Sequence, residues 1–156
     1  MHEYEHTQPG TFMRAMTGLW VVIFVVGSVV MLALGGQEVA GAVIPGIVML
    51  AVFTAIIVAL FHSLTVRISR SDIAISFGVG LIRKRFPIGD IRSVRIARNR
   101  WYNGWGIRMI RGGWLYNVSG FDAIEIQLKN ERKYRIGTNQ PKELLLAVES
   151  ALASSS

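Results

Sequence analysis

The pattern of apolar and polar positions splits the chain at Leu64. Met16 to Leu34 carries no charge and is almost entirely apolar, and Val39 to Leu64 repeats this after Gly35-Gly36-Gln37-Glu38. At about 1.5 Å per helical residue the first run reaches roughly 28 Å, close to the thickness of a bilayer's hydrocarbon core. The pattern predicts a transmembrane helical hairpin over residues 15–64, with spans of about 16–34 and 40–63. Beyond it the period changes to two. Leu64, Val66 and Ile68 alternate with Thr65, Arg67 and Ser69, and Ile73, Ile75 and Phe77 continue the alternation of half-buried strands. Gly78-Val79-Gly80 turns the chain toward Leu81 to Phe86, and Pro87 to Asp90 makes a break before Ile91, Val94 and Ile96. Strand signals return at 107–109, 114–118, 123–128 and 133–136, the last two flanking a hairpin turn at Lys129 to Arg132. From Pro141 onward Leu144, Leu145, Val148 and Leu152 share one helical face, with Asn139 or Gln140 as cap and Glu143 in the first turn.

The expected organisation is a polar lead-in over 1–14, disordered or lying on the surface, then the hairpin, a small β-rich domain over 65–153 and a tail at 154–156. A hydrophobic share of 51% and a mean hydropathy of +0.40 agree with a membrane protein. The chain has no cysteine, which excludes disulfides, thiolate catalysis and Cys-based metal sites. Charge then orients the hairpin. Only Arg14 of the 17 bases precedes the spans, and Arg14, Arg67 and Arg70 flank them, while Glu38 is the one charge between. Basic flanks mark the cytoplasmic side, so both termini are expected in the cytoplasm and Gly35 to Glu38 on the opposite face of the inner membrane. A cleaved signal peptide competes poorly, because the apolar run is long, Glu3 and Glu5 face a lone Arg14, and a second span follows directly. Ala51, Ala55 and Ala59 recur every fourth residue and form a candidate helix-packing face. No ionisable side chain lies mid-span, so ion or proton conduction is not expected.

Several segments carry a resemblance: Gly78 through Arg83, Pro87-Ile88-Gly89-Asp90-Ile91-Arg92-Ser93-Val94, the Trp101 to Gly120 stretch and Ile136-Gly137-Thr138. Through these the chain resembles bacterial membrane-anchored pleckstrin-homology-like (PH-like) proteins, in which the domain follows two spans. The resemblance implies a membrane α-helical hairpin plus an α+β PH-like domain, with about seven antiparallel strands in a bent, partly open barrel and a C-terminal helix. It implies binding or scaffolding rather than catalysis, and it supplies no ligand residues. Fold analogy alone is a weak warrant for function.

The residues themselves point to a basic and aromatic surface. Arg83, Lys84 and Arg85 are followed by Arg92, Arg95, Arg98 and Arg100, then by Trp101, Trp105 and Arg108, with Tyr102, Arg111, Trp114 and Tyr116 interleaved. A base near an anionic leaflet gains about 1 kcal/mol, and Trp and Tyr favour the headgroup layer. Anionic inner-leaflet lipids are therefore the expected partner, beside an unidentified protein partner or self-association. The bland alternative is a positive-inside flank with the tryptophans in the core. Nucleic acid is not the expected partner, since no recognised motif accompanies the basic surface. No cofactor is expected. His2 and His6 are read as no metal site, and Gly104, Gly106, Gly112 and Gly113 as bends, because no P-loop Lys-Ser/Thr follows them. Asn117-Val118-Ser119 is a glycosylation sequon by chance. Asp72, Asp90, Asp122 and Glu125 form no catalytic constellation, so a non-enzyme is expected. The runner-up role is a structural accessory subunit of a larger membrane complex.

Overall fold

A computed structural model of the chain describes residues 4–154, apart from the side chains of residues 36–40 and 42. The elements run β1 (Tyr4–Pro9), α1 (Thr11–Phe61), β2 (Ser63–Ile68), β3 (Asp72–Phe77), β4 (Ile82–Pro87), β5 (Ile91–Arg98), β6 (Gly106–Ile110), β7 (Gly113–Asn117), β8 (Asp122–Leu128), β9 (Lys133–Gly137) and α2 (Pro141–Ser154). Single turns of 3-10 helix at Ile88–Asp90 and Trp101–Asn103 precede and follow β5.

α1 is helical throughout, yet its ends meet: the Gly10 N–H donates to the His62 carbonyl at 2.7 Å. A straight helix of this length would hold its ends about 75 Å apart, so the run must double back. It carries two stretches, Thr11–Gly35 and Val43–Phe61, each long and apolar enough to cross a membrane. In their most apolar windows only 6% of the first and none of the second is buried. Helices so exposed are not the core of a water-soluble fold, and they suggest membrane localisation. Thr17, Val21, Phe24 and Ser28 on one limb, and Gly46, Leu50, Thr54 and Ile57 on the other, are the more buried positions. Spaced three or four apart, they form the stripes along which the limbs pack. The alanine stripe is not that seam. Ala51 and Ala55 are exposed, and only Ala59 is partly covered, at the base of the helix. The stripe lies on the outer side of the second limb because Leu50, Thr54 and Ile57 occupy the inner face, which leaves contact between copies of the chain as the other role expected of it. Of the expected exposed loop, Gly35 is exposed, whereas the side chains of Gln37 and Glu38 lie outside the described residues.

The N-terminal segment departs from expectation. Tyr4–Pro9 is not a loose lead-in but a strand, zipped antiparallel to β2 from Tyr4↔Ile68 to Pro9↔Ser63. Its sequence conceals this because the inward positions are mostly polar. Gln8 is only 5% exposed and spends its side-chain amide on the Ser119 carbonyl at 2.9 Å. Thr7 meets Thr65 at 2.8 Å, and Arg67 meets Glu5 at 2.9 Å. The helical hairpin is therefore inserted between two neighbouring strands of the β domain. Adjacent strands sit about 4.8 Å apart, whereas packed helices need about 8–10 Å. Gly10 sits where the spacing changes, and a Cβ there would strike the Phe61 carbonyl oxygen.

Among the described residues nine strands stand where about seven were expected, in two sheets ordered β1-β2-β3-β4 and β5-β8-β9-β7-β6. All neighbours are antiparallel except β7 and β9. Between the sheets lie fully buried Phe77, Phe86, Ile73, Ile124 and Ile136, and α2 adds Leu144, Val148 and Ala151 to this core. Leu145 and Leu152, expected on the same helical face, are partly buried against it. β5 and β6 occupy opposite edges of the second sheet, so residues 99–105 cross its outer side. Leu115, Ala123 and Glu125 alternate with the core-facing Tyr116, Ile124 and Ile126, yet all three are buried. Arg95 and Arg135 close over Glu125 on that side.

Candidate anion-binding surface

The ends of α1 are fixed to the β domain at a single end. The Gly78 N–H donates to the Ser63 carbonyl at 2.8 Å, and the Val79 N–H to that of Ala59 at 3.1 Å. Gly78 has φ +48°, and a Cβ there would overlap the Ala59 carbonyl oxygen. On the other side Trp105 stacks on Phe12 with ring centroids 3.5 Å apart, and Thr11 meets Ser119 at 2.9 Å. Beside the Gly78–Val79 attachment Val79 and Leu81 are 61% and 77% exposed, and on the segment leading to Trp105, Trp101 and Tyr102 are 77% and 61% exposed.

The ten basic and aromatic residues expected to form one surface are divided among several places. Arg83 and Arg85 lie on the outer side of edge strand β4 and, with Arg67, Asp72 and Ser76, line a polar cavity of about 520 Å³. There Arg83 donates to the Gly80 carbonyl at 2.5 Å, and Arg85 lies 3.9 Å from Asp72. Lys84 alternates to the other side of β4, at the mouth of a smaller apolar crevice with Ile82, Ile107, Trp114 and Tyr116. Arg92, at the start of β5, pairs with Glu131 at 3.2 Å. It stands about 20 Å along the strand from Arg98, at the end away from the α1 attachments, so it does not join the surface. Arg95 does not join it either: it is bound to Glu125. Trp105 is packing material at the helix junction, not an exposed anchor, and Arg108 donates to its carbonyl at 3.1 Å. The strand period explains the scatter, because alternate bases on β4 and bases at opposite ends of β5 cannot share one face.

Arg98 and Arg100 do converge. With Arg111 and Arg135, Tyr102 and Asn103, they line a cavity of about 660 Å³ on the outer side of the second sheet, beneath the 99–105 crossing. Arg100 donates to the Tyr102 hydroxyl at 3.0 Å. Arg135 donates to Glu125 Oε2 at 2.7 Å, while Arg95 takes Oε1 at 2.5 Å from the opposite strand. Burial raises the Glu125 pKa, but the hydrogen bonds from Arg135 and Arg95 together outweigh it and hold the carboxyl below the usual carboxylate range. Asn99, between Arg98 and Arg100, is 5% exposed, and its side-chain amide has no partner among the described residues.

Arg135 did not stand out in the sequence, and Arg111 stood there only as one of an interleaved series. The hairpin turn at Lys129 to Arg132 was the available signal for Arg135: folding about it places Glu125 opposite Arg135, as observed. Nothing comparable brings Arg111 to Arg98, since that requires the crossing between sheet edges. Elsewhere, His6 meets Asn139 at 2.6 Å and His2 lies outside the described residues. Asn117 is 1% exposed and donates to the Gly120 carbonyl at 3.0 Å, an internal role that leaves the sequon inaccessible. Among the described residues, no three His, Asp or Glu side chains gather in a way that could hold a metal ion. Comparison with protein families, curated proteins and solved structures finds no match to this chain.

Proposed function

We propose that this chain is a non-enzymatic, two-span protein of the inner membrane. It holds a PH-like module against the cytoplasmic leaflet, where the module binds anionic lipid headgroups. The observation that carries the reading is the collar around the helix attachments. Val79 and Leu81 are exposed where α1 meets the β domain, with Arg83 two residues beyond, and the crossing that carries Trp105 to Phe12 exposes Trp101 and Tyr102 just after Arg98 and Arg100. Apolar and aromatic tips beside arginines suit the boundary between acyl chains and phosphates. The PH-like reading draws support from connectivity. β1 to β4 form one antiparallel sheet, β5, β8 and β9 form an antiparallel second, and α2 follows, which makes seven strands and a C-terminal helix. The hairpin β6-β7, with its parallel pairing to β9, is then an addition to that frame. The absence of cysteine makes the orientation test clean. Ser150→Cys, on the exposed side of α2, should react with a membrane-impermeant maleimide in inverted vesicles and not in intact cells. Labelling in intact cells would overturn the orientation.

The accessory-subunit reading draws on a different feature. Thr17, Trp20, Phe24, Leu50, Phe53, Thr54 and Ile57 line an apolar groove of about 350 Å³ between the two limbs of α1. A helix from a neighbouring subunit would fit such a surface. Recovery of a stoichiometric partner with the intact protein in mild detergent supports this reading, and recovery of this chain alone opposes it.

A further inference from the structure

We propose that the open cavity lined by Arg98, Arg100, Arg111 and Arg135 is a binding site for a phosphate monoester. Four arginines line one space, Arg98 from the end of β5, Arg100 from the crossing, Arg111 from the β6-β7 turn and Arg135 from the middle of β9, and no carboxylate lines it. Only Arg135 is committed to an acid, and it approaches Glu125 from the covered side. Arg98 and Arg111 have no hydrogen-bond or ion-pair partner among the described residues, so both forks are free for an anion. Gathering like charges is unfavourable unless something of opposite sign answers them. The planar forks of arginine match phosphate oxygens in pairs, which is the geometry that distinguishes arginine from lysine at such sites. Tyr102 accepts from Arg100, which directs its own O–H proton elsewhere, and Asn103 adds an amide. At about 660 Å³ the space exceeds a bare phosphate and accommodates a phosphate with a small organic substituent. The site is made by the 99–105 crossing and the β6-β7 turn, so it belongs to the additions on the seven-strand frame and not to the frame itself.

Two sources share this chemistry: a lipid with a monoester headgroup and a soluble phosphate. The lipid source rests on the membrane reading above, whereas the anion site does not. The test uses the full chain in neutral detergent, titrated calorimetrically with inorganic phosphate at constant ionic strength. Saturable binding is expected, weakened about tenfold or more in Arg98→Gln/Arg111→Gln and unchanged within about twofold in Arg92→Gln. Arg111→Gln alone, at an exposed turn, should give a smaller loss in the same direction and covers the case of a poorly folded double variant. No saturable binding by the parent protein, or equal affinity in the folded variants, overturns the site. Nanodiscs then separate the sources. If phosphatidic acid supplies the group, phosphate titrates in phosphatidylcholine discs and is displaced in discs that also contain phosphatidic acid. Equal titration in both supports the site with a soluble ligand and counts against the headgroup.

Discussion

Phe53 and Phe77 are the same side chain in two settings. On α1, Phe53 is 61% exposed, and in β3, Phe77 is fully buried between Phe61 and Tyr116. The helical limbs turn apolar side chains outward along most of their circumference and keep only a narrow seam for each other. The β domain does the reverse, closing an apolar core beneath a polar and cationic exterior. One chain thus carries two solvents' worth of patterning, and the change occurs within a residue or two at Gly10 and His62. The lesson is that apolar exposure has meaning only beside the medium it faces. A buried phenylalanine is worth several kcal/mol because water is the alternative, whereas an exposed one on a span has lipid or detergent as both alternatives.

The contrast can be broken most directly with those two residues. Phe77→Ala should cost about 3–5 kcal/mol in detergent, read from denaturant unfolding of the β domain, while Phe53→Ala should stay within about 1 kcal/mol. Equal losses would mean that the limbs are packed as a water-soluble core. The next effect sharpens the boundary between the regions. Gly78→Ala places a Cβ against the Ala59 carbonyl at a φ of +48°, and should cost about 1–3 kcal/mol in thermal unfolding. A neutral result would show that the β3-β4 turn is not held against the helix.

Glu125→Gln should cost about 1–3 kcal/mol, since it leaves two arginines without their shared carboxylate. Its pH dependence has a definite sign. The folded pKa lies below the unfolded value of about 4.3, so the native state gains stability from ionised Glu125 above that pH. The gain is lost as the pH falls through the folded pKa, so the melting curves of parent and variant should converge in acid. A gap that widens below pH 4.3 would reverse the assignment. The smallest effect is Arg92→Gln, whose pair with Glu131 is exposed on both sides, and which should change stability by no more than about 0.5 kcal/mol.

The legible parts of the fold were those with a strong period. Both limbs of α1, the strands from Ser63 through Gly137 and the Leu144–Val148 side of α2 all show in the spacing of apolar residues. β1 was hidden, because a strand whose inward positions include His6 and Gln8 lacks the alternation that marks a half-buried strand. The cavity was half legible. Arg98 and Arg100 stand out as neighbours in the sequence, but Arg111 and Arg135 reach them only through the route of the 99–105 connection across the sheet. That route is decided by strand order, which periodicity does not encode. Bases adjacent in sequence, Arg83 and Lys84 among them, end on opposite sides of a strand for a different reason, the two-residue period itself.

The pairing of β1 with β2 across the inserted hairpin also sets a timetable for synthesis. Residues 4–9 leave the ribosome first, but their partner strand begins only at Ser63, after both spans have been made. At about 5–20 residues per second this is a wait of several seconds, with all of α1 made in between. The first sheet can therefore close only after the whole of α1 has been made, so a chain stalled between the two limbs would be left with β1 unclaimed.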